Sequence, residues 1–443
     1  MSGVRDLIAS YFPSSGDELH MGGMSVSAIA QACGTPLFIY DRAVLDRKWE
    51  LLRAALPPEF SIFYSVKANP NQKILRHFLE KGAGLEIASG GEFCQALAAG
   101  CQPENILFAG PGKSEDELSL VIGKGIGEIH VESQREAERI VSISRRLNVQ
   151  THVALRVNPA GDAEGGAMRM GGRPAPFGID EENLGEVLDF LLKAPEVILS
   201  GIHIFSGTQI LDTEVLLRQY RRGIELARQV VARLGRPLRR VDFGGGLGVP
   251  YFAHEKPLDL NRLRPELDAL LQEIRHDSAF SGTRFLVEPG RFLTAEAGVY
   301  VTRVSDIKVS RGKKFVIVDG GMHHHLAASG NLGQTIKRNY PIAVLNKLAA
   351  PEAETVDVVG PLCTPLDVLA RNASLPDVAV GDLIGVFQSG AYARAASPLN
   401  FLSHRTPPEV WVDAGRFELI RKRGEYSDYL RDLCHTEVES VSR

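Results

Sequence analysis

The stretch FSIFYSVKANPNQKILRHFLEKGAGLEIASGGE (60–92) contains two short apolar runs separated by an amphipathic segment. The runs FSIFYSV (60–66) and GLEIA (84–88) have the length and the apolar content of buried parallel strands. The segment between them, NQKILRHFLEKG (71–82), begins with Asn and ends with Gly, which are helix-capping signals. This stretch therefore predicts a strand, a helix and a second strand.

The same alternation continues to about residue 290. Six further strand-like runs follow, namely ILFA (106–109), EIHV (128–131), HVALRV (152–157), LSGIHIF (199–205), RRVDFG (239–244) and RFLVEP (284–289). Helical segments such as SQREAERIVSISRRL (133–147) and EVLLRQYRRGIELARQVVARLG (214–235) lie between them. Eight strands joined by helices predict the α/β class, with a (β/α)₈ barrel.

The pattern changes after about residue 295. Runs such as VYVTRVSDIKV, KKFVIVDGG and DLIGVFQSG are strand-like, with few helical segments between them, and predict a β-rich, barrel-like domain. The run GTPLFIYD, near residue 40, predicts a strand that completes this domain. We therefore expect an N-terminal segment (1–40), a barrel (41–290) and a C-terminal β domain (291–443).

Composition narrows the classes of function. The 443 residues carry a formal charge of −4, which gives no reason to expect nucleic acid or an anionic membrane as a partner. The five cysteines include no C-x-x-C pair, so neither a zinc site nor a disulfide framework is indicated. Reduced thiols in a cytoplasm are the simplest interpretation. We find no signal peptide or membrane-spanning segment in the sequence.

Polar residues follow the predicted strands where each strand ends. They are Lys67 at the first strand, Glu86 and Ser89 at the second, Arg156 and Asn158 at the fifth, His203 and Thr208 at the sixth, Asp242, Gly244, Gly245 and Gly246 at the seventh, and Glu288 and Arg291 at the eighth. Active sites of such barrels lie at the carboxyl ends of the strands. The sequence therefore predicts one site at that end of the barrel.

Taken singly, these residues leave alternatives open. Burial would lower the pKa of Lys67 and favour a neutral amine that reacts with an aldehyde, but the side chain could equally extend to solvent. The glycines of DFGGGLG (242–248) suit a phosphate-binding loop or a plain tight turn. Glu288, in EPGRF, suits either a cofactor contact or an ion pair with Arg291.

Three features of the β domain are also ambiguous. Cys363, in GPLCTPLD (360–367), and Tyr392, in SGAYARAASP (389–398), suit a site or an ordinary core. The run HHH (323–325) invites a metal interpretation. Adjacent histidines on a strand point to opposite faces, however, so we expect no metal and interpret them as cavity-lining or loop residues.

Together the motifs resemble the fold-type III decarboxylases that use pyridoxal 5′-phosphate (PLP), a family that includes ornithine, arginine and diaminopimelate decarboxylases. They are YSVKAN, GLEIASGGE, FAGPGKS, the SGTQ segment, DFGGGLG, EPGR, GPLCTPLD and GAY, in the order of the family. The resemblance covers nearly the whole chain. It implies a PLP-binding barrel, a β domain and a head-to-tail homodimer with shared active sites.

The resemblance also implies roles for individual residues. Lys67 matches the Schiff-base lysine, Glu288 the carboxylate on the pyridine nitrogen, and Cys363 a catalytic cysteine supplied by the partner subunit. The remaining cofactor positions are Glu86 beside the cofactor, Gly244, Gly245, Gly246, Gly290, Arg291 and Thr208 around the phosphate, Tyr392 near the phosphate, and His203 and Phe205 on the sixth strand. The loop from Pro159 to Gly178, which contains Arg169 and Arg173, is a candidate lid.

Three departures from the family bear on the substrate. Phe205 stands where the family usually has a histidine stacked on the PLP ring, and an aromatic ring can still stack there. Thr364 replaces the glutamate that grips the distal amino group of diaminopimelate. The stretch VDGGMHHHLAASG (318–330) lacks the arginine that holds the distal carboxylate. Without these grips, free diaminopimelate would be poorly held.

These departures bring the chain closer to a subgroup that includes the butirosin-type decarboxylase of glutamyl-acyl-carrier protein and exosortase-associated decarboxylases. We therefore expect a PLP-dependent decarboxylase whose substrate is an amino acid or a carrier-linked aminoacyl group. Diaminopimelate decarboxylation and amino-acid racemisation on the same scaffold remain alternatives. A binding protein without activity is a fourth, which the presence of Lys67, Glu288 and Cys363 disfavours.

Overall fold

Eight parallel strands close into a barrel in the first of two units into which the chain divides. The computed structural model describes residues 2–12, 16–160, 168–169, 174–205, 207–334 and 336–433. The first unit contains residues 43–297 and 390–395, and the second contains residues 2–42, residues 298–389 and the chain from residue 396 onward. The predicted lid loop lies largely outside the described residues, as do Arg173 and the side chain of Arg169.

The barrel strands occur where the sequence predicts them. They are β1 (Phe60–Ser65), β2 (Gly84–Ile87), β3 (Ile106–Phe108), β4 (Glu128–Val131), β5 (Thr151–Asn158), β6 (Val197–Ile204), β7 (Arg240–Asp242) and β8 (Arg284–Val287). Each pairs in parallel with its neighbour, and β8 closes the barrel on β1 with Leu286 opposite Ser61. The predicted (β/α)₈ barrel is therefore confirmed.

Helices connect successive strands along the chain. They are Arg42–Ala55 before β1, then Gln72–Glu80, Gly90–Ala98, Glu115–Gly123, Gln134–Leu147, Leu184–Leu192, Thr213–Leu234 and Leu260–Ile274 after β1 to β7, and the short Arg291–Thr294 after β8. Their capping agrees with the sequence signals, because the Asn71 side chain caps the first connecting helix and Gly235, with φ +71°, ends the longest.

Close packing in the barrel interior determines some of its residues. Phe63, Leu107 and Leu286 form one buried cluster between the strands. A Cβ on Gly84 would lie 2.2 Å from the Phe63 ring, so β2 can pass this ring only where it carries no side chain. Side chains thus fill this part of the barrel interior.

The second unit is a mixed sheet of nine strands. Its strands are Leu37–Asp41, Gly298–Ser310, Lys313–Val318, Ile342–Val344, Glu354–Val359, Val368–Leu375, Leu383–Val386, Glu409–Asp413 and Arg416–Arg421. Leu37–Asp41 is buried throughout and pairs with both Gly298–Ser310 and Glu409–Asp413. The predicted N-terminal contribution to this sheet is therefore confirmed, whereas Ile342–Val344 and Val368–Leu375 were not predicted.

The remaining N-terminal elements precede this strand. Helices Ser2–Tyr11 and Val26–Cys33 flank a small hairpin of His20–Met21 and Met24–Ser25. None of the helices in the described part of the chain is long and apolar enough to cross a membrane.

Candidate active site

A cavity of about 280 Å³ opens at the carboxyl ends of the barrel strands, near the lower end of the ~300–1,000 Å³ usual for ligand sites. Predicted site residues that line it are Lys67, Glu86, His203, Phe205, Thr208, Gly245, Gly246, Glu288, Gly290, Arg291 and Tyr392. These residues come from five strand ends and from one segment late in the chain. Their convergence was the main expectation for the barrel.

Lys67 lies in a short 3₁₀ turn (Val66–Ala68) directly after β1, and 41% of its side chain remains accessible from the cavity. Its Nζ donates to Glu86 Oε2 at 2.6 Å and to Oε1 at 2.8 Å. The Ser65 hydroxyl donates to the same fully buried carboxylate. Lys67 and Glu86 therefore form a tight ion pair on the cavity wall.

This ion pair corrects one prediction. Burial alone lowers the pKa of Lys67, but the carboxylate of Glu86, with help from Tyr392 and Glu288, outweighs burial and raises this pKa above its usual value. Burial also raises the pKa of Glu86, against the opposing effect of Lys67. The expected neutral amine is therefore wrong for the unliganded protein, in which Lys67 is an ammonium ion.

Glu288 ends β8 and lies against histidine rings. Its Oε2 is 3.2 Å from His203 Nε2, and its Oε1 is 4.0 Å from His130 Nδ1. Burial would raise the pKa of Glu288, but His203, His130 and Lys67 together hold it below its usual range. Burial lowers the pKa of His203 to about 4, so a neutral His203 faces an ionised carboxylate. No Glu288–Arg291 ion pair occurs among the described contacts.

The glycine loop after β7 is held in one conformation. Gly244, at φ +66°, donates its N–H to Asp242 Oδ1 at 2.8 Å, and its carbonyl accepts from the Glu288 N–H at 2.8 Å. A Cβ on Gly245 would lie 2.5 Å from the Glu288 carbonyl oxygen. Any other residue at Gly245 would displace the loop from the cavity wall.

Arg291 and Tyr392 lie at the same end of the cavity. The guanidinium is 4.6 Å from the centre of the Tyr392 ring, and its Nη1 donates to the Tyr251 hydroxyl at 3.0 Å. The Tyr392 N–H donates to the Ala68 carbonyl at 2.8 Å. Tyr392 thus belongs to the barrel unit, although its sequence neighbourhood was predicted to lie in the β domain.

A second charged network borders the cavity, and Arg156 is its one member that the sequence analysis names, as a polar residue at the end of the fifth strand. Arg156 lines the cavity and pairs with Glu132 at 2.6 Å, while Lys113 pairs with Glu136 at 2.7 Å. Glu132 also accepts from the backbone N–H groups of two loops. Lys113 lies within the motif FAGPGKS, but the motif by itself gives Lys113 no role.

Two of the predicted strand-end residues make structural contacts. Ser89 caps a helix, and the Asn158 side chain donates a hydrogen bond to Asp180.

Cys363 lies in the second unit and is exposed. Its loop is fixed by Asp367, whose carboxylate accepts from the N–H groups of Leu362 and Met322 at 2.9 and 2.6 Å. The loop 360–367 is therefore held to the turn that precedes the three histidines.

The three histidines form a buried turn rather than a strand. The His324 Nδ1 is 3.1 Å from the Tyr300 hydroxyl, and the His325 Nε2 is 2.9 Å from Ser389 Oγ. Burial lowers the pKa of His323 to about 4 and that of His325 to about 3. In the described residues, the group with metal-ligand spacing is a different one, formed by His130, His203, Asp242 and Glu288.

The cavity fits the cofactor that the motifs imply. Glu288 Oε1 is buried and has no hydrogen-bond partner in the described structure, so it can accept a hydrogen bond from a protonated ring nitrogen. Lys67 supplies an amine, and Gly245, Gly246 and Arg291 line the cavity with the backbone and the cation that a phosphate requires. An aldehyde, a basic ring nitrogen and a phosphate would each meet a complementary group.

Comparisons with known proteins agree with this geometry. Residues 42–295 match the family model described as "Pyridoxal-dependent decarboxylase, pyridoxal binding domain". The chain is 38% identical, over 95% of its length and 98% of the relative, to the L-glutamyl-[BtrI acyl-carrier protein] decarboxylase of Niallia circulans. It is 33% identical to the diaminopimelate decarboxylase of Aquifex aeolicus, over 93% of this chain and 94% of that one.

A solved structure has the same fold. The diaminopimelate decarboxylase of Helicobacter pylori, complexed with L-lysine, superposes with a TM-score of 0.82 at 29% identity, over 91% of this chain and 98% of that chain. The family model, the relatives and the cavity agree, and the chain belongs to the PLP-dependent amino-acid decarboxylases of fold type III.

Proposed function

We propose that the protein decarboxylates the α-carboxyl of an amino acid that is joined to a carrier through its side-chain carboxyl, as in a glutamyl group on an acyl-carrier protein. The observation that carries this proposal is the 38% identity, over nearly the whole of both chains, to a decarboxylase of such a substrate. The relatives named for free diaminopimelate are less similar, at 33% and below.

Lys67 is the proposed covalent attachment point for PLP. Its ammonium group must lose a proton before the nitrogen can react with an aldehyde, and Glu86 Oε2, at 2.6 Å, is positioned to take that proton. The Ser65 hydroxyl, which also donates to Glu86, holds the carboxylate in place. Glu86 is thus the proposed base that prepares Lys67.

Glu288 is the proposed partner of the cofactor's ring nitrogen. PLP supplies an electron sink for the electron pair left by departing CO₂, and this sink requires a protonated ring nitrogen. A Glu288 that stays ionised keeps that proton in place. We propose Gly244, Gly245, Gly246, Gly290, Arg291, Thr208 and Tyr392 as the phosphate site, with Phe205 against the ring.

The departures from the family support a substrate that has no charged groups at its distal end and needs no charged residues to bind them. A carrier-linked glutamyl group ends in a thioester or amide, which bears no free amine for the glutamate that Thr364 replaces. It also bears no distal carboxylate for the missing arginine of 318–330.

We further propose a homodimer in which Cys363 of the partner subunit returns a proton to the α-carbon. The exposed position of Cys363, on a loop fixed by Asp367, supports a thiol that is presented to another surface. Four of the cysteines are free thiols, which supports a reducing compartment such as the cytoplasm.

The substrate proposal is tested by incubating PLP-loaded protein with glutamyl-acyl-carrier protein and following the intact mass. We expect loss of one CO₂ from the carrier species and none with Lys67→Ala. Free L-glutamate and meso-diaminopimelate serve as matched substrates. Turnover of diaminopimelate without turnover of the carrier species would replace the proposal with the diaminopimelate alternative.

The racemase alternative is separated in the same reaction. A racemase would leave the mass unchanged and invert the α-carbon of recovered substrate, which chiral chromatography after hydrolysis detects. Decarboxylation of L-glutamate alone, at the rate seen with the carrier species, would remove the carrier from the proposal and leave the decarboxylase.

A further inference from the structure

Two strands place ionisable side chains inside the barrel, away from the cavity wall. Glu128 and His130 are two residues apart on β4, and Arg240 and Asp242 are two residues apart on β7, so each pair projects to one face of its strand. Glu128, His130 and Asp242 have no exposed surface. None of the sequence motifs includes Glu128 or His130, so the family resemblance assigned them no role.

His130 connects this interior group to the site. Its Nε2 is 3.5 Å from Glu128 Oε1 and 3.9 Å from Asp242 Oδ2, while its Nδ1 is 4.0 Å from Glu288 Oε1. Its ring centre is 4.4 Å from that of His203. Carboxyl groups therefore lie near both ring nitrogens of His130. The one near Nδ1 belongs to Glu288, the residue assigned to the cofactor.

An imidazolium suits this arrangement of carboxyl groups better than a neutral imidazole does. A neutral imidazole carries a proton on one nitrogen only, so its other nitrogen would direct a lone pair at a carboxylate oxygen. An imidazolium directs N–H groups to both sides, and buried carboxylates require such a cation nearby. Among the described ion pairs, Arg240 contacts Glu128, with its Nη1 3.7 Å from Glu128 Oε2.

We propose that His130 is a positioning residue that, as an imidazolium held by Glu128, keeps Glu288 ionised and oriented toward the ring nitrogen of PLP. This inference rests on the proposed function in assigning Glu288 to that nitrogen. It adds a residue that touches neither the cavity nor the cofactor and acts through Glu288.

The other groups around Glu288 require such a cation. Burial and the charge of Glu288 raise the pKa of Asp242 well above its usual value, so Asp242 holds a proton next to Glu288. His203 is neutral because burial lowers its pKa to about 4, and Arg156 beyond it is already paired with Glu132. Lys67 also lowers the pKa of Glu288, but its ammonium group is paired with Glu86 at 2.6 Å. Losing His130 would therefore favour transfer of the proton from Asp242 to Glu288.

The pKa of Glu288 is depressed, so the carboxylate is present above that pKa and is lost as pH falls through it. Removing the neighbouring cation raises this pKa. A His130→Asn variant should therefore lose the Glu288 carboxylate at a higher pH than the wild type does.

The test compares two cofactors on apoprotein, namely PLP and its analogue with carbon in place of the pyridine nitrogen. Dissociation constants are measured by fluorescence between pH 5 and pH 8 for the wild type, His130→Asn, Glu128→Gln and Glu288→Gln. The matched control is His152→Asn, because His152 lies on the neighbouring strand and is hydrogen-bonded to Ser200 at 2.6 Å.

We expect His130→Asn to weaken PLP binding about tenfold at pH 5, where a Glu288 carboxyl that has lost its neighbouring cation takes up a proton, and less at pH 8. Binding of the carbon analogue should not change. Glu128→Gln should move PLP binding in the same direction by less, and His152→Asn should leave it unchanged. Should His130→Asn fold poorly, as judged by circular dichroism, Glu128→Gln carries the test.

The failures are distinguishable. If the wild type binds PLP and the analogue equally well, the role of Glu288 fails. If the wild type discriminates and both His130→Asn and Glu128→Gln discriminate equally well, the role of His130 alone fails. If His130→Asn weakened the binding of PLP and of the carbon analogue equally, His130 would have only a structural role. One metal ion per chain in the wild type that is lost in His130→Asn would also overturn the proposal, since the tetrad of His130, His203, Asp242 and Glu288 has ligand spacing.

Discussion

Two groups of buried charges at the barrel strand ends differ in how they are satisfied. The first, Lys113, Glu136, Glu132 and Arg156, balances two cations against two carboxylates with contacts of 2.6 to 2.7 Å. The second, around His130, joins its groups at 3.5 to 4.0 Å, and its ring nitrogens have no hydrogen-bond partner in the described structure.

The difference indicates that the two groups have different roles. The first network contains no imidazole and pairs each carboxylate with a cation at hydrogen-bond distance, so it can hold two loops rigidly. The second contains imidazoles and an excess of carboxyl groups, so its charge depends on where protons reside.

Lys67→Ala should abolish decarboxylation, because no other amine lines the cavity in the described residues. The absorption band of lysine-bound PLP should disappear, while Glu86 loses its cation and takes up a proton. Absorbance of the cofactor-loaded protein and CO₂ release measure both effects. A retained band would assign the attachment to another lysine.

Lys113→Met should break the closed network and destabilise the protein by about 3–5 kcal/mol, because it leaves Glu136 without its buried partner. Urea unfolding measures this loss. The double variant Lys113→Met/Glu136→Leu is the control and should recover much of it, since it removes both charges. No recovery would mean that the Lys113 bonds to the Gly110 and His130 carbonyls matter more than the ion pair.

Glu92→Gln should stabilise the protein at pH 8 and change little at pH 4.5. Burial raises the pKa of Glu92 to about 7, so the folded state holds a proton that the unfolded state releases, and stability falls between these pH values. The gain should be about 1–3 kcal/mol, at about 1.4 kcal/mol for each pKa unit. Urea unfolding at both pH values measures it. An equal gain at both would exclude titration as the cause.

Phe205→His should have the smallest effect. It restores the imidazole usual in the family on the cavity wall, and an aromatic contact is worth about 0.5–1.5 kcal/mol in either case. We expect PLP affinity to change by less than about tenfold and the carrier-linked substrate to remain preferred. A switch to free diaminopimelate would show that Phe205 alone sets substrate choice.

Much of the fold could be predicted because the signals are local. Each of the eight runs is apolar for the length of a strand, and capping residues such as Asn71 and Gly235 mark helix ends within a few residues. The strand Leu37–Asp41 was found for the same reason. Val368–Leu375 was missed because it contains Arg371 and Asn372, and its exposed face carries polar residues.

The candidate site was only partly predictable. Motifs identified Lys67, Glu288 and the glycine loop, because their residue types and order are distinctive. They did not identify Glu132 or Lys113, whose roles depend on ion pairs with other segments.

The sequence by itself determined the barrel, the site at its carboxyl ends and the kind of cofactor, since these follow from apolar periodicity and from motifs at strand ends. Only the tertiary structure decided the charge of Lys67, the place of Tyr392 in the barrel unit and the position of His130 between Glu128 and Glu288. The physical reason is that a charge state depends on every group within a few ångströms, and in a closed barrel those groups come from strands far apart in the chain.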